Sequence, residues 1–234
     1  RIRRYVHLST GNYNETTARI YTDLGYFTAN DDFARDISDV FNVITGYSLP
    51  QRWKRIISSP YDLRQYFFEL IDKEIEFQRK YKNGFISAKM NSLEDTMMID
   101  KLYEASQAGV TIQLIVRGIC CLIPGLAKKS EQISITSIVG RFLEHSRIYL
   151  FNNNGNHRIF LSSADWMSRN LDRRIELLFE IYKTDLKEKL EQILNIYHKD
   201  NQKTRILGPD QVYQPVKAEG QRFDAQQQLI QLYQ

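Results

Sequence analysis

Phe85-Ile86-Ser87-Ala88-Lys89-Met90, then Ser92 and Asp95, then Ile99, Leu102, Tyr103 and Gly109, and finally Ile112-Gln113-Leu114-Ile115-Val116, together decide the fold class. The first run is expected to be a strand. Ser92 and Asp95 form a capping pair, Ile99, Leu102 and Tyr103 share one helical face, and Gly109 suits the helix stop. Ile112 to Val116 then reads as an apolar strand buried on both faces. Strand, helix, strand implies a parallel pair joined by a right-handed crossover.

Outward from this unit, Arg147 to Phe151, Arg158 to Ser162 and Ile175 to Tyr182 are three more strand-like runs. Asn152-Asn153-Asn154-Gly155-Asn156 reads as the hairpin turn between the first two. Thr184 is expected to cap a helix with Leu186, Leu190, Ile193, Leu194 and Tyr197 on one stripe. Upstream, Ser59 as cap and Pro60 in the first turn open a helix bearing Leu63, Phe67, Leu70, Ile71 and Ile75, running to about Lys80. Earlier still, Asp32 to Ile44 places Phe33, Ile37, Val40, Phe41 and Ile44 at helical spacing, with Gly46 after the last turn. Arg3 to Ser9 alternates as a strand and runs into the polar turn Thr10-Gly11-Asn12-Tyr13-Asn14. The expected class is α/β, a mixed sheet flanked by helices. Gly46, Pro50 and Pro60 mark a domain boundary within residues 45–60, and beyond Asp200 the polar composition marks a tail that packs on a neighbour or stays partly mobile.

With 234 residues and 42% apolar content, the chain is long enough to bury a real core in one or two domains. Its 32 basic and 28 acidic residues give a net charge of +4, too balanced for a generic nucleic-acid coat, so selectivity for a polyanion must come from clusters. Arg1-Ile2-Arg3-Arg4 and Arg169 to Arg174 are such clusters. No apolar run approaches the roughly 18 residues that span a bilayer, and no signal-peptide pattern opens the chain, which makes the cytoplasm the expected location. Cys120 and Cys121 are adjacent, cannot bridge each other in the ordinary way, and read as buried apolar filler. The chain opens at Arg1 in what reads as a strand and without Met, so it is expected to be a piece of a longer protein.

The chemistry concentrates in Phe142-Leu143-Glu144-His145-Ser146-Arg147, Ser162-Ser163-Ala164-Asp165-Trp166 and Asp172-Arg173-Arg174. On a strand, alternate residues share a face, so His145 and Arg147 are expected to meet one ligand. An imidazole can then exchange a proton or a phosphoryl group while a guanidinium neutralises the charge. Arg117 follows Val116 at the end of a buried strand, where ligand sites form, and reads equally as a phosphate ligand or a loop salt bridge. Arg173 and Arg174 are expected to open a strand and face opposite sides, with Arg174 lining the pocket. Ser162 and Ser163 suit either donation to phosphate oxygens or the end of a strand. His7, with Ser9 to Asn14, looks like a fragment of a second site. Tyr21 suits a nucleobase or the core, and Trp166 the core. His157 and His198 lack a second ligand at metal spacing and receive no role. There is no GxxxxGK[ST] loop.

Val6-His7-Leu8-Ser9-Thr10-Gly11-Asn12-Tyr13-Asn14, Ala18-Arg19-Ile20-Tyr21-Thr22-Asp23, Val116-Arg117-Gly118, Leu143-Glu144-His145-Ser146-Arg147 and Ser162-Ser163-Ala164-Asp165-Trp166-Met167 closely resemble the C-terminal half of bacterial polyphosphate kinases, across nearly the whole chain. The resemblance implies a phospholipase D-like fold in which two similar α/β domains face each other. It also implies division into residues 1–48, the remnant of a first such domain, residues 49–204, the second, and residues 205–234, a partly helical tail. The implied activity is reversible transfer of the terminal phosphate of ATP to inorganic polyphosphate through a phosphohistidine, with magnesium. By the resemblance, Tyr21, Arg117 and His145 contact ATP. The resemblance also implies phosphate or polyphosphate contact by Arg174, to which the residue chemistry adds Arg147 and Ser163. His145 acts as acid/base partner and His7 supports it. The phosphorylated histidine belongs to a His-x-Lys segment that precedes His7 in the family, and the magnesium ligands are likewise expected outside these residues, so the isolated chain is expected to be inactive. Arg147 stands where the wider superfamily has Lys, which keeps the charge but changes its geometry. Homo-oligomerisation and peripheral association with a membrane also fit the family, with no transmembrane segment and no nucleic-acid partner. Two rival readings are a phospholipase D-type phosphodiesterase and a non-catalytic polyanion-binding module.

Overall fold

A computed structural model describes residues 3–48, 53–217 and 220–234. Arg1 and Ile2 of the first basic cluster, and Pro50 of the expected boundary, lie outside the described residues. In chain order the elements are β1 (Val6–Ser9), β2 (Tyr21–Thr22), β3 (Gly25–Thr28), α1 (Asp31–Ile44), β4 (Ile56–Ser59), α2 (Leu63–Tyr81), β5 (Phe85–Met90), α3 (Thr96–Gln107), β6 (Thr111–Val116) and β7 (Ile133–Ile138). There follow β8 (Leu143–Glu144), β9 (Arg147–Phe151), β10 (Arg158–Ser162), α4 (Ser168–Asp172), β11 (Glu176–Ile181), α5 (Thr184–His198), β12 (Thr204–Leu207), β13 (Tyr213–Pro215) and α6 (Ala225–Tyr233).

Nine strands form one mixed sheet in the order β13-β12-β7-β6-β5-β9-β10-β11-β4. As the opening stretch requires, β5 and β6 are parallel and α3 crosses between them. β6 and β7 are also parallel, and the remaining neighbours are antiparallel. Alternation along the strands sorts the core into two layers. Ile86, Ala88 and Met90 of β5, with Ile112, Leu114 and Val116 of β6, pack under α2 and α3. Ile115, Ile148, Leu150, Ile159 and Leu161 face the other way, toward α5, Val6 and Leu8 of β1, and Phe33 of α1. Gln113 interrupts the apolar run of β6 and is only half-buried.

Local sequence chemistry explains several ends. Asn30 caps α1 by accepting from the amides of Asp32 and Phe33, and Asp95 caps α3 by accepting from Met98. The β9–β10 hairpin turns through Asn153, Asn154 and Gly155, all at positive φ, where Asn and Gly are the residues that fit most readily.

Four expectations need correction. Ser59 does not cap α2: it ends β4, donating its hydroxyl to Arg174 O at 2.6 Å, and the helix begins three residues after Pro60 with Asp62 at its N-cap position. Thr184 is the first helical residue of α5, and the flanking Lys183 makes no side-chain cap. Cys121 is exposed rather than buried, while Cys120 is partly buried and packs against the core. The described part of the segment after Asp200 is not loose, because β12 pairs with β7 and β13 with β12. Asp200, itself buried, anchors it by accepting from the amides of Lys203, Thr204 and Ala225.

Candidate active site

The small parallel pairing of β2 with β8 sets Tyr21 beside Leu143 and Thr22 beside Glu144. One residue further along the same register, Asp23 meets His145: its two carboxylate oxygens lie 2.9 and 3.0 Å from the imidazole Nδ1. A carboxylate at Nδ1 makes that nitrogen the N–H donor and leaves the Nε2 lone pair available in the neutral ring. Asp23 is held in turn by the Thr10 hydroxyl at 2.8 Å. The Tyr21 ring stands 4.6 Å from the imidazole, half-buried rather than in the core. Trp166, by contrast, is fully buried between Phe67 and Tyr149.

Arg147 shares the face of His145 as alternation requires, with Nη1 3.0 Å from Nε2. Its guanidinium is already engaged. It forks onto Asp165 through Nε at 3.1 Å and Nη2 at 2.9 Å, and Nη1 also donates to Thr10 O at 3.0 Å. Burial works against the charge, but Asp165 outweighs it and holds the guanidinium above its ordinary pKa. Asp165 is further satisfied by the amides of Asn91 and Ser92. Arg117 is engaged too, with Nε donating to Glu144 O at 2.9 Å and Nη2 to the Asn91 side chain.

His145, Arg147, Tyr21, Ser163 and Arg174 line one cavity of about 280 Å³. Arg117 is not among its walls, although its partner Asn91 is. Arg174 does not open a strand: it lies in the turn between α4 and β11, exposed, with no side-chain hydrogen bond or salt bridge among the described residues. Arg169 of α4 lines the same cavity in the same condition. Ser163 spends its hydroxyl locally, donating to Glu176 at 2.5 Å and accepting from the Leu177 amide. His7 is elsewhere. It stands exposed on β1, hydrogen-bonded to the Tyr13 hydroxyl and stacked on Phe27 at 4.1 Å, against a neighbouring cavity of about 340 Å³ that shares Ser163 with the first.

Sequence reasoning gave no role to Asp23, Asp165, Arg169 or the buried pair Lys89 and Glu144. Asp23, Asp165 and Glu144 lie inside quoted motifs, but their partners come from other segments and carry no local signal. Arg169 was visible only as part of a basic cluster.

The family description "Polyphosphate kinase C-terminal domain 2" matches residues 56–227, and "Polyphosphate kinase C-terminal domain 1" matches residues 1–50. The chain belongs to the polyphosphate kinase family. It is 47% identical over 99% of its length to a polyphosphate kinase of Bacillus anthracis and 50% identical over 97% to one of Halalkalibacterium halodurans. It spans about a third of the length of these relatives, 33% and 32%. The crystal structure of the polyphosphate kinase of Porphyromonas gingivalis superposes with a TM-score of 0.94 at 39% identity, covering 99% of this chain and 36% of that one.

Magnesium, which the polyphosphate kinase resemblance implies, finds no ligand set here. Among the described residues no three His, Cys, Asp or Glu side chains are grouped to hold a metal ion. The carboxylates lining the cavity are committed, Asp165 to Arg147 and Glu176 to Ser163 and Asn170. That donor set does not fit the ion. Among the described residues no helix is long and apolar enough to cross a membrane.

Proposed function

We propose that this chain carries part of the active site of a polyphosphate kinase, which reversibly moves the terminal phosphate of ATP onto inorganic polyphosphate through a phosphohistidine. The observation that carries the reading is the Asp23–His145 pair at the wall of a cavity whose exposed cations, Arg169 and Arg174, make no side-chain hydrogen bond or salt bridge among the described residues. In the first step a histidine nitrogen attacks the γ-phosphorus. The new N–P bond forms as the O–P bond to ADP breaks, with the electron pair leaving on the ADP oxygen. In the second, a terminal oxygen of polyphosphate attacks that phosphorus and frees the histidine. His145 is the acid/base residue: as imidazolium, steadied by Asp23 at Nδ1, it shares its Nε2 proton with the departing oxygen, and as the neutral ring it takes that proton back in reverse. Tyr21 contacts the nucleotide. Arg174, joined by Arg169, contacts the phosphates. Arg147 and Arg117 act chiefly as braces, since most of their donors are committed. His7 supports the site from the neighbouring cavity. The same reading carries a phospholipase D-like pair of domains divided near residue 48, homo-oligomerisation, and a cytoplasmic location with room for peripheral membrane association.

The test is incorporation of radiolabelled ATP into polyphosphate by the full-length gene product and by its His145→Ala variant. Removing a general acid/base is expected to lower kcat by about 10²- to 10⁴-fold with an unchanged melting curve. Wild-type synthesis by the variant would overturn the assignment. Polyphosphate binding that weakens with salt, with no ATP-dependent labelling in the wild-type protein, would instead favour a polyanion-binding module.

A further inference from the structure

We propose that the C-terminal helix α6, through Gln226, is a positioning element for His145: it fixes Glu144, and with it the backbone on both sides of the imidazole. The inference rests on the reading of His145 given above and extends it to a residue outside the cavity. Gln226 is buried, and its side-chain amide is fully used. Nε2 donates to Glu144 Oε1 at 2.7 Å and to Phe142 O at 2.9 Å, while Oε1 accepts from Phe142 N at 3.2 Å. One side chain therefore clamps the strand that leads directly into His145.

The other Glu144 oxygen receives the Tyr197 hydroxyl of α5 at 2.5 Å, the Thr22 hydroxyl at 3.2 Å and Lys89 Nζ at 3.2 Å. Lys89 continues to the far side of the histidine, donating to Ser146 Oγ at 2.8 Å and to Ser146 O at 3.2 Å. Residues 144 and 146 are thus held from β2, β5, α5 and α6, while the amide of His145 itself donates to Thr22 O at 3.2 Å. Burying Lys89 and Glu144 is costly, since each ion gives up its hydration. Such a pair is often no better for stability than apolar residues of equal volume, so its contribution here is placement. Burial would raise the pKa of Glu144, yet Lys89 and the neutral donors hold it below the ordinary carboxylate value, while burial pushes Lys89 below its own ordinary value despite Glu144. Gly140 adds an independent sign of close fit: a Cβ there would sit 2.5 Å from Gln226 Oε1 and 3.0 Å from its Cδ. Any side chain at 140 would push the amide off Glu144. Gln226 does not line the cavity of His145 and Arg174, so its influence on chemistry runs through Glu144.

The test compares kcat and KM for ATP in the full-length gene product carrying Gln226→Met, which keeps the volume and loses the hydrogen bonds, Gly140→Ala, which displaces the amide, or His145→Ala. Misplacement of a reacting group by a fraction of an ångström to one ångström is expected to lower kcat about ten- to hundredfold for Gln226→Met. A smaller fall in the same direction is expected for Gly140→Ala, with KM for ATP within about twofold in both. Wild-type kcat in both variants, or a rise in KM at constant kcat, overturns the positioning role while an inactive His145→Ala leaves the reading of His145 standing. Full activity in His145→Ala overturns that reading itself.

Discussion

The two histidines implicated by the motifs sit in opposite physical settings. His145 is enclosed: a carboxylate fixes one ring nitrogen, an arginine locked to a buried aspartate abuts the other, and its flanking residues are held from four elements. His7 stands on a two-stranded sheet, exposed and supported by Tyr13 and Phe27, which are themselves largely exposed. A lone hairpin is marginal in water, and this one persists because Val6, Leu8 and Phe33 pack onto the large sheet. The enclosed region is built to hold one geometry. The open one borrows its order from a neighbour.

The sharpest way to break that contrast is Asp165→Ala. It would leave Arg147 buried without its paired carboxylate, and the expected loss is about 3–5 kcal/mol of stability, read as a shift of the urea midpoint. A midpoint near wild type would show that the enclosed site does not depend on its buried pair.

This dependence also explains what could be read from the chain alone. β5, β6, β9, β10 and β11 carry apolar runs, and α1, α2, α3 and α5 carry helical spacing, so the mixed sheet and its flanking layers were legible. β4 was obscured because Ser59-Pro60 mimics a helix start. β7 went unread although Ile133 and Ile135 alternate with Ser134 and Thr136. The tail looked polar because its order comes from pairing with β7 and from the caps on Asp200, both long-range. At the site, His145, Tyr21 and Arg174 were placed in one cavity as expected. Asp23 was invisible because its meeting with His145 depends on the β2–β8 register across 122 residues. Arg147 lines the same cavity, although its commitment to Asp165 left no local signal, and Arg117 lies outside the walls with its Nε on Glu144 O.

A second comparison uses two phenylalanines of α1. Phe33 is 2% exposed and Phe41 is 62% exposed, although both fit the helical spacing. Phe33→Ala is expected to cost about 3 kcal/mol or more, and Phe41→Ser no more than about 0.5 kcal/mol. Equal costs in urea denaturation would mean that the open face is better packed than its exposure indicates.

The smallest effect concerns His198, whose pKa is lowered by burial and whose Nε2 lies 2.8 Å from the Ser87 hydroxyl. The unfolded chain binds this proton more readily than the folded one, so stability rises with pH across the window below the ordinary value of 6.5. It is fully present above that value and declines as pH falls through it toward the depressed folded value. His198→Asn is expected to flatten the pH dependence of the urea midpoint in that window, and an unchanged slope would assign it to other groups.

The borders of the nine-stranded sheet have a consequence for how the molecule behaves in a crowded solution. β13 contributes three residues and ends in Pro215, and β4 contributes four and is followed by Pro60. A platform this wide would otherwise present long rows of unpaired amides and carbonyls on which a second copy could template itself. Short, proline-terminated rims leave almost nothing to zip onto, so the breadth that supports the site does not become a seed for fibrils.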